Sequence, residues 1–326
     1  MANKRCLVLG SNSCAGSNFV KYAADHGAAV LATSRSVENP QRYLAYEKGK
    51  IDFQRIDINS GMDGIKNAVH EFKPTDIINF ASQSMVAESW EQPEDWIRTN
   101  NLGLLNLLKV LAEYDSLRSY IHYSTPEVYG NVTGRINESN IFNPSTPYAA
   151  TRAMGDYFVS MWHLMYGVPS IITRAGNIYG PGQRPYRIIP KTFLSILESR
   201  KLPLHGGGAS KRNFVHGYDS AAAIWTLMAG GRPGHTYHIS SDEYVSIADL
   251  VSKIATMFSL QLSDVSAISP DRLGKDMNYS LGDQKLRDLG WSQTIPLEAG
   301  LREVKTMIER DITHIQQSEL HYVHTQ

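Results

Sequence analysis

Short apolar runs alternate with stretches of helical spacing from the first residues onward. Residues 5–9 (RCLVL) read as a buried strand, and within 15–27 Ala15, Phe19, Val20 and Ala23 fall on one helical face. Residues 28–33 (AAVLAT), 51–56, 75–81 (TDIINFA) and 118–124 (RSYIHYS) continue the strands, with helical stretches at 61–72 and 98–114. Nearly continuous apolar strands separated by helices are what a parallel sheet requires, because its crossover helices bury both faces. The pattern predicts an α/β fold built on a Rossmann-type doubly wound parallel sheet. After about residue 170 the texture changes. Pro and Gly cluster at GPGQRP (180–185) and GGG (206–208), and helical patterns at 187–200, 246–258 and 297–311 mix with a short strand at 236–240. This predicts a smaller α/β C-terminal lobe with no long linker before it. The polar, His-rich tail after Asp311 is expected on the surface.

Composition narrows the functions open to such a chain. It has 326 residues, 42% of them hydrophobic, and Lys+Arg and Asp+Glu are both 32. The zero formal net charge offers no field for nucleic acid or an anionic membrane, so neither is expected as a partner. Any bound anion must be held by local groups. With two cysteines, Cys6 and Cys14, a disulfide scaffold is excluded and a reducing cytoplasm fits. The short apolar run of the N-terminus does not make a signal-peptide core, and no run approaches the ~18 apolar residues of a membrane helix. No metal site is expected, since the histidines are scattered and Cys-x-x-Cys and His-Glu-x-x-His are both missing.

Gly10-Ser11-Asn12-Ser13-Cys14-Ala15-Gly16 follows the first strand directly and opens a helix. Backbone N–H groups at such a helix start suit a dinucleotide pyrophosphate. Gly10 permits the tight turn and Gly16 close helix–strand packing, while Ser13 takes the place of the usual middle glycine. We therefore assign Gly10, Asn12, Ser13, Cys14 and Gly16 to cofactor binding. Cys14 reads as filler in the turn rather than a reactive thiol. At the end of the second strand an Asp or Glu would accept the ribose 2′-hydroxyl of NAD, but the residues are Thr33-Ser34-Arg35-Ser36. A guanidinium flanked by hydroxyls suits a 2′-phosphate, so NADP is the expected cofactor, with NAD as the alternative. Asp57 and Ile58 after the third strand are placed to hold the adenine, or Asp57 simply caps a turn.

The fifth strand ends in Ser124-Thr125-Pro126-Glu127, and Tyr148-Ala149-Ala150-Thr151-Arg152 begins a helix predicted over 148–166. Tyr148 and Arg152 are four residues apart and share a face. A cation there is expected to lower the phenol pKa, so that the phenolate can take a proton from a sugar hydroxyl aligned by Thr125. Glu127 is placed for a second proton transfer.

In this order after a nucleotide fold, these motifs resemble the extended short-chain dehydrogenase/reductase superfamily, and within it the nucleotide-sugar 4,6-dehydratases and epimerases. The resemblance runs over nearly the whole chain and includes Asn100, Arg174 and Asn177 in TRAGNIYGPGQ, Arg212 and Asp219 in KRNFVHGYDSA, and 271–291. It implies oxidation of the sugar C4 hydroxyl, loss of water across C5 and C6, and return of hydride to C6. Tyr148 matches the C4 base, Thr125 its aligning hydroxyl and Glu127 the C5 base or acid. Tyr148 and Arg152 also match cofactor contacts, and Ser84, Asn177, Arg212 and Arg272 match positions contacting the nucleotide diphosphate sugar. The resemblance further implies division into 1–174 for the dinucleotide and 175–326 for the nucleotide sugar, partly interleaved, and a homodimer pairing 98–114 and 148–166.

Two departures stand out. The family lysine of Tyr-x-x-x-Lys is Arg152, which keeps the charge but cannot release its proton. The Asp that precedes the Glu in dTDP-glucose dehydratases is Pro126 here; the GDP-mannose dehydratases also lack that Asp, keep the Glu and use NADP, so Thr-Pro-Glu with Arg35 leans towards a GDP-mannose-dehydratase-like chemistry. A 4-epimerase, decarboxylase or 4-dehydrogenase of the same family, and a catalytically silent nucleotide-sugar or NADP-binding protein, remain open alternatives to the dehydratase.

Overall fold

The computed structural model describes residues 4–270, 280–315 and 322. At its centre is a seven-stranded sheet whose pairings are all parallel. Five strands come early in the chain: β1 (Arg5–Leu9), β2 (Ala29–Ser34), β3 (Asp52–Arg55), β4 (Asp76–Asn79) and β5 (Ser119–Ser124). Ser170–Ala175 and Thr236–Ile239 continue the sheet beyond β5, whereas β2 and β3 lie on the other side of β1. The order therefore reverses between β1 and β4, the crevice where doubly wound sheets bind ligands.

Successive side chains of a strand point to opposite faces. In β1, Cys6 and Val8 enter one core while Leu7 and Leu9 enter the other. The first core packs α1 (Cys14–Asp25) through Phe19 and Val20, and the helix Gly217–Gly230 through Ile224 and Leu227. The second core takes Ile65 of Asp63–Phe72, Leu107 and Leu108 of Leu104–Ala112, and Val159 of Pro147–Tyr166. The helix expected over 98–114 is interrupted. A π-helical turn, Arg98–Gly103, precedes Leu104–Ala112. Its side chains are tied sideways: Asn100 accepts from Gln83 N at 2.9 Å and donates to Thr151 Oγ1 at 3.0 Å, and Asn101 donates to the Thr151 carbonyl. These bonds bind the start of that helix to the start of Pro147–Tyr166.

Two elements escaped the pattern reading. Ser170–Ala175 carries Thr173 and Arg174 in a fully buried strand, and Gly217–Gly230 is built of small and apolar residues without a polar stripe. Arg174 is tolerated in the core because its Nε donates to Asp156 at 2.9 Å and its guanidinium lies 4.9 Å from the Tyr129 ring. The smaller lobe holds a three-stranded sheet of Asn177–Tyr179, Lys211–His216 and Tyr244–Ser246. Its own core gathers Phe193, Leu250 and Leu301 from Ile188–Leu197, Ile247–Thr256 and Leu297–Ile315. Asp219 clasps the lobe to the sheet domain, accepting from Thr294 N, Thr294 Oγ1 and Ile295 N at 2.6–3.0 Å. Among the described residues no helix is long and apolar enough to cross a membrane.

Candidate active site

The turn after β1 is built for close approach. Gly10 has φ +78°, and a Cβ there would lie 2.6 Å from Ala81 N. A Cβ on Gly16 would lie 2.4 Å from the Gly10 carbonyl oxygen. Ser13 caps α1: its Oγ accepts from Gly16 N at 3.0 Å and donates to the Gly10 carbonyl at 2.8 Å. The serine thus does for the turn by hydrogen bonding what a middle glycine does by freedom. Asn12 lines the cleft but spends its side chain on the loop after β2, donating to Ser36 Oγ and the Val37 carbonyl at 2.9 and 2.8 Å. Cys14 also lines the cleft, and burial pushes its thiol up to about 12, which leaves it a protonated, inert side chain.

One cleft of about 810 Å³ runs from this turn into the smaller lobe. Gly10, Asn12, Ser13, Cys14, Arg35, Asp57, Ile58, Ser84, Thr125, Glu127, Tyr148, Arg152, Asn177 and Arg212 all line it. Gly16 stands behind its wall, packed on the Gly10 carbonyl. Asp57 lines it while also capping the following turn, accepting from Asn59 N at 2.9 Å. Arg272 lies outside the described residues.

Pro147 opens the long helix and Thr146 caps it, accepting from Ala149 N at 3.1 Å, which sets Tyr148 in the first turn facing the cleft. Tyr148 and Arg152 are 7% and 4% exposed. Thr125 stands beside Tyr148 in the cleft wall and draws the phenol pKa down. Thr125 Oγ1 also accepts from Glu127 N at 3.3 Å, holding the strand-end turn. The guanidinium of Arg152 donates through Nη2 to the Tyr123 carbonyl.

The electrostatics correct one expectation. The Tyr148 phenol is raised above its ordinary value, because burial outweighs every other influence. Arg152 pulls it back down and is the largest opposing effect, while Glu127 pushes it up. The lowering by a neighbouring cation is therefore present, but in this protein it offsets a desolvation cost rather than carrying the phenol below its usual range.

The chain's residues fit a dinucleotide. The turn leaves no room for a side chain at Gly10 or Gly16, and the buried Arg152 Nε has no partner within the protein, so it is a donor facing a ligand cleft. The pattern reading missed several lining residues. Arg187 and Lys191 stand i and i+4 at the start of Ile188–Leu197, and Arg187 Nη2 donates to Ser84 Oγ at 3.1 Å. Two cations at a helix start after a Pro/Gly loop were a readable anion signal. Gln83 and Tyr322 also line the cleft. Tyr322 corrects the expectation of a surface tail, since it is partly buried there.

The fold and cleft define a dinucleotide-dependent enzyme of the extended short-chain dehydrogenase/reductase type, with a smaller second lobe. The sequence profile described as GDP-mannose 4,6 dehydratase matches residues 7–304, and the chain belongs to that family. It is 30% identical to a probable dTDP-glucose 4,6-dehydratase of Sinorhizobium fredii, over 92% of this chain and 91% of that protein. It is 31% identical to a dTDP-glucose 4,6-dehydratase of Xanthomonas campestris, over 90% of each. Its structure matches DesIV, a dTDP-glucose 4,6-dehydratase from Streptomyces venezuelae solved with NAD, with a TM-score of 0.87 at 29% identity, over 95% of this chain and 98% of that one. The corresponding enzyme of Bacillus anthracis, solved with NAD, matches with a TM-score of 0.85 at 26% identity, over 95% and 98%.

Proposed function

We propose that this enzyme is a nucleotide-sugar 4,6-dehydratase, converting a nucleoside-diphosphate hexose to its 4-keto-6-deoxy derivative. The observation that carries the reading is the meeting of Thr125, Glu127, Tyr148 and Arg152 in one cleft, with Arg152, Glu127 and Thr125 all acting on the Tyr148 phenol. A nicotinamide bound in the cleft would supply reversible hydride transfer, from C4 and back to C6.

In this reading Tyr148 takes the proton of the C4 hydroxyl, aligned by Thr125. Glu127 takes the C5 proton, which the new C4 carbonyl makes acidic. Of the carboxylates lining the cleft among the described residues, Asp57 lies after β3 and Glu127 beside Thr125. With Pro126 in the position of a separate acid, Glu127 also gives its proton to the C6 hydroxyl, which departs as water. Hydride return to C6 leaves the C4 enolate, which must regain a proton at C5; the proton taken up by Tyr148 balances that demand, so Glu127 and Tyr148 both end the cycle as they began. Asn177, Arg187, Lys191 and Arg212 supply donors for the diphosphate, with Ser84 facing them across the cleft. Residues 1–174 hold the dinucleotide and 175–326 the nucleotide sugar, with Thr236–Ile239 interleaved into the first sheet. NADP as the cofactor rests on Arg35 and the missing acid after β2, whereas the solved relatives carry NAD.

The long helix leaves Met154, Tyr157, Met161, Leu164 and Met165 exposed along it, and Leu102 stands out on the π-helical turn. An apolar stripe of this length supports a homodimer through these helices. The unpaired cysteines support a reducing, cytoplasmic setting. The test is incubation with GDP-mannose, dTDP-glucose, UDP-GlcNAc and CDP-glucose, each with NAD or NADP. Loss of one water with formation of a 4-keto-6-deoxy product is the expected result. Turnover by another route, with no dehydrated product from any donor, contradicts the reading.

A further inference from the structure

Tyr322 follows the last helix and reaches the cleft. Its ring meets Tyr186 edge-on, with centroids 5.4 Å apart and planes at 77°. Its hydroxyl donates to Gln83 Oε1 at 3.5 Å. These two partners sit on opposite lips. Gln83 belongs to the loop after β4, beside the glycine turn, and is fixed through its backbone by Asn100. Tyr186 belongs to the smaller lobe and precedes Arg187, whose guanidinium is bonded to Ser84. The charges of Arg35, on the β2 side, and Arg187, on the substrate side, both act on the Tyr322 phenol. Burial, aided by Tyr186 and Glu88, nevertheless pushes that phenol up to about 12, so it is a neutral donor at ordinary pH.

The side chain forms part of the wall rather than a plug. With Tyr322 in place the cleft still measures about 810 Å³, within the ~300–1,000 Å³ typical of ligand sites. The residue also lies beyond the region matched by the family profile, which ends at residue 304.

We propose that Tyr322 is a cofactor-retaining residue, joining the two lips of the cleft across the bound nicotinamide dinucleotide and slowing its release. This rests on the reading of the cleft given above. The chemistry makes retention useful. Hydride removed from C4 returns to C6 of the same sugar, so the cofactor ends each cycle unchanged and has no need to exchange.

The test compares wild type, Tyr322→Phe and Tyr322→Ala, loaded with NADPH or NADH. Release is followed by stopped-flow nicotinamide fluorescence after dilution into excess oxidised cofactor, with kcat measured at saturating cofactor and folding checked by thermal melting. For Tyr322→Ala, release is expected about tenfold faster, the scale of one aromatic contact and one hydrogen bond lost together. Tyr322→Phe, which keeps the ring, lies between, and the melting temperature stays at its wild-type value. Equal release rates in wild type and Tyr322→Ala overturn the proposal, as does slower release, which would make the ring an obstruction. If the wild type itself holds neither dinucleotide, the functional reading fails and takes this proposal with it.

Discussion

The two ends of the cleft offer opposite kinds of donor to an anion. At the β1 end the donors are backbone N–H groups, and the surroundings are glycine, serine and alanine packed at contact distance. At the smaller lobe the donors are the long side chains of Arg187, Lys191 and Arg212, carried on a helix start and a strand. A backbone cradle costs nothing to preorganise but cannot be changed without moving the fold. A side-chain rim is adjustable one residue at a time. Between the two ends lies the seam, where β5 and the long helix bring Thr125, Glu127, Tyr148 and Arg152 together.

Substitutions separate these three zones by the kind and size of effect. At the seam, Glu127→Gln keeps the shape and removes the only carboxylate assigned to both proton transfers. Dehydration should fall by at least about a hundredfold with melting temperature unchanged, in steady-state assays beside calorimetry. A variant that dehydrates normally would assign that chemistry elsewhere, and one that only interconverts C4 epimers would place the enzyme among epimerases.

In the cradle, Gly16→Ala drives a methyl group to 2.4 Å from the Gly10 carbonyl. Overpacking of this kind costs about 1–3 kcal/mol. Because the same atoms hold α1 and the ligand, both cofactor affinity and thermal stability should fall. Full stability with normal affinity would show that the turn yields more freely than its contacts imply.

On the rim, Arg212→Ala should raise KM for the nucleotide sugar by about tenfold, the worth of one charge-assisted bond. Its kcat and melting temperature should hold. A loss of stability there equal to that of Gly16→Ala would erase the distinction between the two ends. The smallest effect is expected at Arg35, a cationic side chain that lines the cleft after β2. Arg35→Ala should weaken NADP a few-fold more than NAD, on the scale of one exposed phosphate contact. Equal affinities for both dinucleotides in each protein, measured by calorimetry, would remove Arg35 from cofactor choice.

How much of this could be read in the sequence depended on how local the cause was. The cradle was legible because Gly10 and Gly16 act within one strand–turn–helix unit. The seam was legible because Tyr148 and Arg152 are one helical turn apart, although Thr125 joins them only through the sheet. The net rise of the Tyr148 phenol was not legible, since it comes from burial among residues distant in the chain. Ser170–Ala175 was hidden by Arg174, whose charge is answered by Asp156 on a different element. Tyr322 gave no signal at all, because its place is set by Gln83 and Tyr186, far earlier in the chain.

The central claim is that Tyr148 works as a base despite burial because Arg152 offsets the desolvation. A raised phenol ionises only as pH rises, so the phenolate fraction and the rate climb together along an ascending limb. Removing the cation must push that limb further up the pH scale. The direct measurement is kcat against pH for wild type, Arg152→Lys and Arg152→Gln at saturating sugar nucleotide. The account predicts a limb moved to higher pH in Arg152→Gln and largely restored in Arg152→Lys. Superimposable profiles in all three proteins, with turnover intact, would contradict it.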